Sequence, residues 1–245
     1  MIVFPMAGAS SRFLRAGYEV EKFRLRAHGL SLFTHAVSGF ERYFEEEPFL
    51  FIHRGGERTR QFIEQECEAM GLPNMAMVDL NSATRGQAET VALGLEANDC
   101  CPSESLTIFN IDTFRPGFSY PAEFSIDEID GYLEVFSGEG EHWSFVLPSD
   151  ENPEEQRVGS VAEKVRISSL CSTGLYFFRE ASSFLQKFEQ VKALDRSRLQ
   201  GGEYYVAPLY NDLIEEGLDI RYHLIDASEV VHCGTPEDYE RFKGE

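Results

Sequence analysis

The sequence predicts an α/β protein whose first half builds a parallel sheet flanked by helices and whose second half builds a mixed sheet. Two observations carry this. Through Ile111, strand-like and helix-like runs alternate, and parallel strands need such helical crossovers. Beyond that point, strand-like runs follow one another without long helices between them. The chain has 245 residues with an apolar share of 42%, which is enough for a sizeable core.

Met1–Pro5 is a short apolar run that stops at a Gly/Ser loop. From Ser31 to Phe44, the residues Phe33, Ala36, Val37, Phe40 and Phe44 recur at helical spacing. Phe49–His53 reads as a buried strand. Arg58–Met70 reads as a helix with Phe62, Ile63, Cys67 and Met70 on one face. Met75–Leu80 is a strand, Gln87–Asn98 a helix with Ala88, Val91, Ala92 and Leu95 inward, and Leu106–Ile111 another strand. Tyr132–Phe136, Trp143–Leu147, Ser160–Ile167 and Thr173–Phe178 are the strand-like runs of the second half. Ser149–Gly159, rich in Asp, Glu and Pro, reads as an exposed loop. Helices are expected near Glu180–Val191 and Tyr204–Glu216, then a strand at Ile220–Ile225, a short run Glu229–Cys233 and a helix from Pro236. No repeat or low-complexity linker interrupts the chain, so residues 1–245 read as a single domain.

Charge narrows the function. With 22 Lys and Arg against 42 Asp and Glu, the net charge is −20. Nucleic acid and anionic membrane surfaces would be repelled. The charge is uneven: residues 1–60 carry a net +2 and the remainder −22. A basic first quarter in an acidic protein suits a held anion. Solubility alone would also explain an acidic surface. The 20 Phe, 10 Tyr and 1 Trp argue against disorder. Cys67, Cys100, Cys101, Cys171 and Cys233 are odd in number and form no CxxC pair. That pattern argues against zinc and for a reducing compartment. Met1–Pro5 lacks the pattern of a signal peptide, and no run reaches the roughly 18 apolar residues of a membrane helix. A cytoplasmic location is expected.

Met6-Ala7-Gly8-Ala9-Ser10-Ser11-Arg12-Phe13 directly follows the first strand. Small residues let the backbone fold tightly, so that successive N–H groups can face one anion. Arg12 adds a charge with bidentate geometry for phosphate. Lys22, Arg24 and Arg26 follow. The loop is neither a Walker A motif nor a GxGxxG fingerprint, and spacing alone leaves a plain β-to-α turn open.

Pro5 to Phe13, then Gly17-Tyr18, Lys22 and Gly29, resembles the N-terminal signature of sugar-phosphate nucleotidyltransferases, a Gly-x-Gly-x-Arg loop followed by Pro-Lys. The resemblance continues at Thr84-Arg85-Gly86-Gln87-Ala88-Glu89-Thr90, Asn110-Ile111-Asp112, Glu163-Lys164, Thr173 to Phe178, Gly202-Glu203-Tyr204-Tyr205 and Gly234-Thr235-Pro236-Glu237-Asp238. These landmarks follow the family's order across nearly the whole chain. They look most like the branch found in capsule and surface-polysaccharide gene sets. The implied fold is three-layer α/β/α with a mainly parallel central sheet, nucleotide-diphospho-sugar transferase-like, plus a mixed-sheet acceptor half. Residues 1–112 would be the nucleotide-binding half and 113–245 the acceptor-binding half.

The resemblance also implies roles. Ala7, Gly8, Ser10 and Ser11 would wrap a nucleoside triphosphate, with Arg12 on its β- and γ-phosphates. Lys22 would neutralise charge at the α-phosphate. Gly86 and Gln87 would touch the base, the Gln offering both donor and acceptor. Asp112, at a strand end where ligands of α/β sheets sit, would hold Mg²⁺. Glu163 and Lys164 would contact the acceptor, and Thr173 and Gly174 would line its pocket. The implied partners are CTP, UTP or dTTP and a phosphorylated small molecule. A phosphate oxygen of the acceptor would attack the α-phosphorus, with release of pyrophosphate.

Three positions depart from the pattern. Glu21 precedes Lys22 where the family usually has Pro. His232 stands where many members carry a second metal-binding Asp, and histidine is not the oxygen ligand that Mg²⁺ prefers. Val165 follows Glu163-Lys164 in place of Pro, as it does in the capsule-type branch. A glycosyltransferase of the same fold and a non-catalytic nucleotide-binding relative are the alternatives. The first usually shows Asp-x-Asp, which Asn110-Ile111-Asp112 matches only in part. Glu21 and His232 keep the second open.

Overall fold

A computed structural model describes residues 1–151, 153–194, 199 and 202–244. In chain order the elements are β1 (Ile2–Pro5), α1 (Ser11–Arg15), β2 (Arg26–Ala27), β3 (Leu30–Ser31), α2 (Leu32–Ser38), β4 (Phe49–His53), α3 (Gly56–Met70) and β5 (Met75–Asp79). There follow α4 (Gln87–Ala97), β6 (Leu106–Ile108), β7 (Thr113–Phe114), β8 (Gly131–Ser137), β9 (Ser144–Pro148), β10 (Val158–Glu163) and β11 (Leu170–Phe178). Last come α5 (Ala181–Lys192), α6 (Leu209–Glu215), β12 (Ile220–Ile225), β13 (Val231–His232) and α7 (Pro236–Gly244). Two compact units interleave along the chain. One comprises Ile2–Ala83, Phe109–Ser119 and Ser228–Glu245; the other comprises Met1, Thr84–Ile108 and Tyr120–Ala227.

In the first unit, β4 pairs in parallel with β1 and β5, Phe49 lying opposite both Ile2 and Met75. Parallel strands are covered on both faces, which is why β1 and β4 read as unbroken apolar runs. Phe4 centres this core. It meets Phe40 edge-on at 5.5 Å and Phe109 at 6.2 Å, and stacks on Phe51 at 5.6 Å. β2 and β3 form a hairpin across His28 and Gly29, both at positive φ (52° and 83°), as a two-residue primed turn requires. β13 lies antiparallel to β7, pairing His232 with Thr113.

In the second unit, β11 runs antiparallel to β6, β8 and β9; β10 is antiparallel to β9 and β12 parallel to β8. The helices are held by aromatics: Tyr210 of α6 stacks on Phe178 at 4.5 Å and its hydroxyl donates to the Phe177 carbonyl at 2.7 Å. Phe184 of α5 meets Phe178 edge-on at 5.4 Å. Among the described residues no helix is long and apolar enough to cross a membrane.

Several elements differ from the sequence expectation. The helix expected over Ser31 to Phe44 stops at Ser38, and a separate 3-10 turn spans Glu41–Tyr43. Gly39 sits so close to the Arg115 carbonyl oxygen that a Cβ there would lie 2.5 Å from it. The strand expected to run to Ile111 ends at Ile108. The helix expected from Tyr204 starts at Leu209, after Pro208, because the Tyr204 backbone is bonded elsewhere. The strand expected over Ser160 to Ile167 ends at Glu163, where Lys164 turns into the left-handed region (φ 56°). Within the Ser149–Gly159 loop, Asn152 lies outside the described residues, Pro153–Glu155 form a 3-10 turn and β10 begins at Val158.

Candidate active site

In the first unit the loop between β1 and α1 carries Ala7, Gly8, Ser10, Ser11 and Arg12. Ala7 is buried, while Gly8, Ser11 and Arg12 are exposed. Ser10 adopts left-handed angles (φ 49°, ψ 32°) immediately before helical Ser11. That alternation turns successive backbone N–H groups to one side. Ser10 Oγ also accepts a long 3.4 Å bond from the Lys22 amide, tying the loop to the lysine's backbone.

Lys22 opens a 3-10 turn, Lys22–Arg24, and donates its ammonium to Asp112 Oδ2. The two side chains are 21% and 22% exposed, so the pair is largely withdrawn from water but still reachable. Burial alone would push the Asp112 carboxyl up. The Lys22 charge and hydrogen bond, helped by His232, hold it below the usual carboxylate range. Asp112 is placed from both sides: its carbonyl accepts from the Cys233 amide at 2.8 Å, and a Cβ on Gly234 would lie 3.3 Å from Asp112 Oδ2. The missing side chain at Gly234 leaves that carboxylate approachable. Burial and the Asp112 charge push the Cys233 thiol up to about 12.

Among the described residues no group of three or more His, Cys, Asp or Glu side chains could hold a metal ion. An all-protein cage is therefore absent. Asp112, with Gly234 opening its face, fits a Mg²⁺ that takes most of its oxygens from phosphates and water.

In the second unit, Gly86 caps α4 at φ 147°, and a Cβ there would stand 2.5–2.8 Å from the Tyr204 backbone. Tyr204 donates its N–H to the Arg85 carbonyl (3.0 Å) and accepts from the Ala88 N–H (2.9 Å). The Gly86-Gln87 turn is thereby clamped, and half-buried Gln87 opens the helix. Arg85 adds an ion pair to Glu89 at 2.6 Å and lies 4.7 Å above the Tyr204 ring.

Glu163, buried at the end of β10, accepts a hydrogen bond from Ser144 Oγ. Burial pushes its carboxyl up, against the pull of Ser144 and Lys164. Lys164 donates to the Tyr205 hydroxyl and lies 4.5 Å from that ring's centre. Burial lowers the Lys164 ammonium, but Tyr205, Glu163 and Glu203 raise it further, so it stays charged. Thr173 and Gly174 sit where β11 bulges between Ser172 and Tyr176. Gly174 has φ 90°, and buried Thr173 donates to the buried Glu134 carboxylate at 3.1 Å.

The structure thus gathers Lys22, Asp112 and His232 in one unit, and Glu163 with Lys164 in the other. Thr173 pairs with Glu134 and not with Glu163 in a direct bond. Sequence reasoning passed over Ser144 and Glu134, and it named Arg24 and Tyr205 without assigning them these contacts. Glu134 stands between Leu133 and Val135 on β8, and Ser144 opens β9 ahead of Phe145-Val146-Leu147, so no spacing in the sequence marks either.

Comparison with protein-family models returned no match, and neither did comparison with curated proteins. Among solved structures, the chain is similar to a nucleoside-diphosphate-sugar pyrophosphorylase from Vibrio cholerae RC9. Identity is 45%, coverage 100% of both chains and the TM-score 0.93. It also matches an inositol-1-phosphate CTP transferase from T. maritima at 16% identity (99% of this chain, 92% of that one, TM-score 0.75). An apo UDP-glucose pyrophosphorylase matches at 14% identity (99% and 96%, TM-score 0.74). At these identities the last two show likeness of fold alone.

Proposed function

The chain belongs to the nucleoside-diphosphate-sugar pyrophosphorylases, sugar-phosphate nucleotidyltransferases with the nucleotide-diphospho-sugar transferase fold, and from that premise we propose that it joins a pyrimidine nucleoside triphosphate to a sugar phosphate. The observation that carries this reading is the 45% identity over the full length of both chains. The oxygen of the acceptor phosphate attacks the α-phosphorus in line. The bond from the α-phosphorus to the bridging oxygen breaks, and pyrophosphate leaves with the electron pair. The attacking phosphate is already anionic, so no general base is required.

Ala7, Gly8, Ser10 and Ser11 bind the triphosphate, and Arg12 its β- and γ-phosphates. Lys22 leaves Asp112 to meet charge growing on the α-phosphate. Asp112, with His232 beside it, would hold Mg²⁺, which would supply charge neutralisation there. Gly86 and Gln87 contact the base of CTP, UTP or dTTP. Glu163, Lys164, Thr173 and Gly174 bind the phosphorylated acceptor. Residues 1–112 serve as the nucleotide half and 113–245 as the acceptor half. The five free cysteines suit the reducing cytoplasm. The product would feed capsule or surface polysaccharide synthesis.

A thermal-shift screen with each nucleoside triphosphate and Mg²⁺, followed by pyrophosphate release with a panel of sugar 1-phosphates, tests the reading. One pyrimidine triphosphate should raise the melting temperature. Pyrophosphate should appear only when a sugar phosphate is added. Silence with every combination would overturn the assignment.

A further inference from the structure

Glu21 breaks the pattern expected before Lys22, and its local geometry explains why the break is tolerated. Its φ of −60° is the value a proline ring would fix, and its ψ of 140° is extended. Among the described residues no backbone carbonyl accepts from the Glu21 N–H; the Glu21 carbonyl accepts from the Arg24 amide at 2.9 Å. The side chain does what a ring would do by other means. Glu21 Oε2 lies 2.9 Å from Arg24 Nε across the 3-10 turn.

Arg24 is itself anchored on α3. Its Nη2 donates to the Arg58 carbonyl and to Thr59 Oγ1, both at 3.0 Å, and its guanidinium stacks 4.7 Å from the centre of the Phe62 ring. Gly55, at φ 152°, lies so close to Thr59 Oγ1 that a side chain there would collide with it. The turn bearing Lys22 is therefore fastened to the first turn of α3 through one guanidinium, and Glu21 fastens the turn's entry to the same group. The preceding stretch, Arg15 to Val20, is mostly exposed and contains Gly17 at φ 89°. Tyr18 is held by Phe13, Tyr239 and Glu240, and the Lys22 amide by Ser10; between these two points the Glu21–Arg24 pair fastens the chain.

We propose that Glu21 is a positioning residue: its ion pair with Arg24 holds the Lys22 turn in the extended-then-turned path that places the ammonium on the reacting phosphate. This rests on the role given to Lys22 above. Because the strut is ionic and partly exposed, salt should weaken it where a covalent ring would not.

The test compares Glu21→Ala, Glu21→Pro and Lys22→Ala with the native enzyme, using the triphosphate and sugar phosphate that release pyrophosphate. Two quantities are read: steady-state kcat and KM, and hydrogen–deuterium exchange of the Glu19–Arg26 segment in the free protein. Glu21→Ala should lower kcat by roughly tenfold, with KM for the triphosphate changed by about twofold or less, and should speed exchange in that segment. Glu21→Pro should restore both and should lose less kcat than the native enzyme between low and 0.5 M-scale salt (on the order of one Debye-length halving). Native kcat in Glu21→Ala, or failure of Glu21→Pro to restore it, overturns the proposal. Lys22→Ala separates the two readings: full turnover there defeats the role of Lys22, whereas a dead Lys22→Ala beside an unimpaired Glu21→Ala defeats only the strut.

Discussion

The carboxylates of Asp112 and Glu163 are both drawn away from water, and the two units treat them in opposite ways. Asp112 is matched by a full opposite charge, the Lys22 ammonium, and is held below the usual carboxylate range. Glu163 accepts from the Ser144 hydroxyl and feels the Lys164 charge beside it, yet burial pushes it above that range. A matched charge keeps a group ionised and ready for a cationic or phosphate-bearing ligand, but the partner must let go first. An under-matched carboxylate is costly in the free protein, and a ligand that donates to it relieves that cost. In the proposed reaction the first arrangement would meet the charged nucleotide and its metal, and the second the acceptor.

Breaking the matched pair should have the largest effect. Lys22→Ala removes charge stabilisation that peaks in the transition state, so kcat should fall by about 10²–10³-fold while far-UV dichroism stays native. The pyrophosphate-release assay reads this directly. A kcat within about twofold of native would mean that the pair is a surface ion pair and nothing more.

The second unit should be more sensitive through its backbone than through any charge. Gly86→Ala would set a Cβ 2.5 Å from the Tyr204 carbonyl oxygen, at a φ of 147° that L-residues avoid. The clash is with backbone, so no rotamer relieves it. A loss of about 3 kcal/mol is expected, or roughly 10 °C in melting temperature. Differential scanning calorimetry would check it. An unshifted transition would show that the Tyr204 segment yields.

How much of this could be read from sequence depended on how local the cause was. β1 and β4 were legible because strands buried on both faces are unbroken apolar runs. The helix from Ser31 was legible at its start, where Ser31 caps the Thr34 amide at 3.0 Å, but not at its end. At its end, Gly39 packs against the Arg115 carbonyl, 76 residues away in the chain, and its own carbonyl accepts from the Phe118 amide at 3.0 Å. The β2–β3 hairpin escaped notice because two-residue strands carry no periodicity. Lys22, Asp112 and Glu163 were singled out by family resemblance, but the contacts around them were not: Ser144 meets Glu163 across two paired strands, and the Lys22 turn is tied through Arg24 to Thr59 of a distant helix.

The smallest expected effect is also the one that separates the two carboxylates most cleanly. Because the folded-state pKa of Glu163 is raised, the folded protein holds that proton more tightly than the unfolded chain does. Stability from this group is therefore present at pH values below the ordinary Glu range and is lost as pH rises through the raised value; at neutral pH the group destabilises. Asp112 has the opposite sign: its contribution is present above the ordinary Asp range and is lost as pH falls through the depressed value. Glu163→Gln keeps the shape and an acceptor for Ser144 but removes the charge. The free enzyme should melt about 1–3 °C higher at neutral pH, with no gain at low pH, while KM for the sugar phosphate rises. Melting curves across pH, read beside acceptor KM, decide it: a variant that is less stable at neutral pH would mean that Glu163 is a satisfied structural carboxylate, and the contrast with Asp112 would collapse.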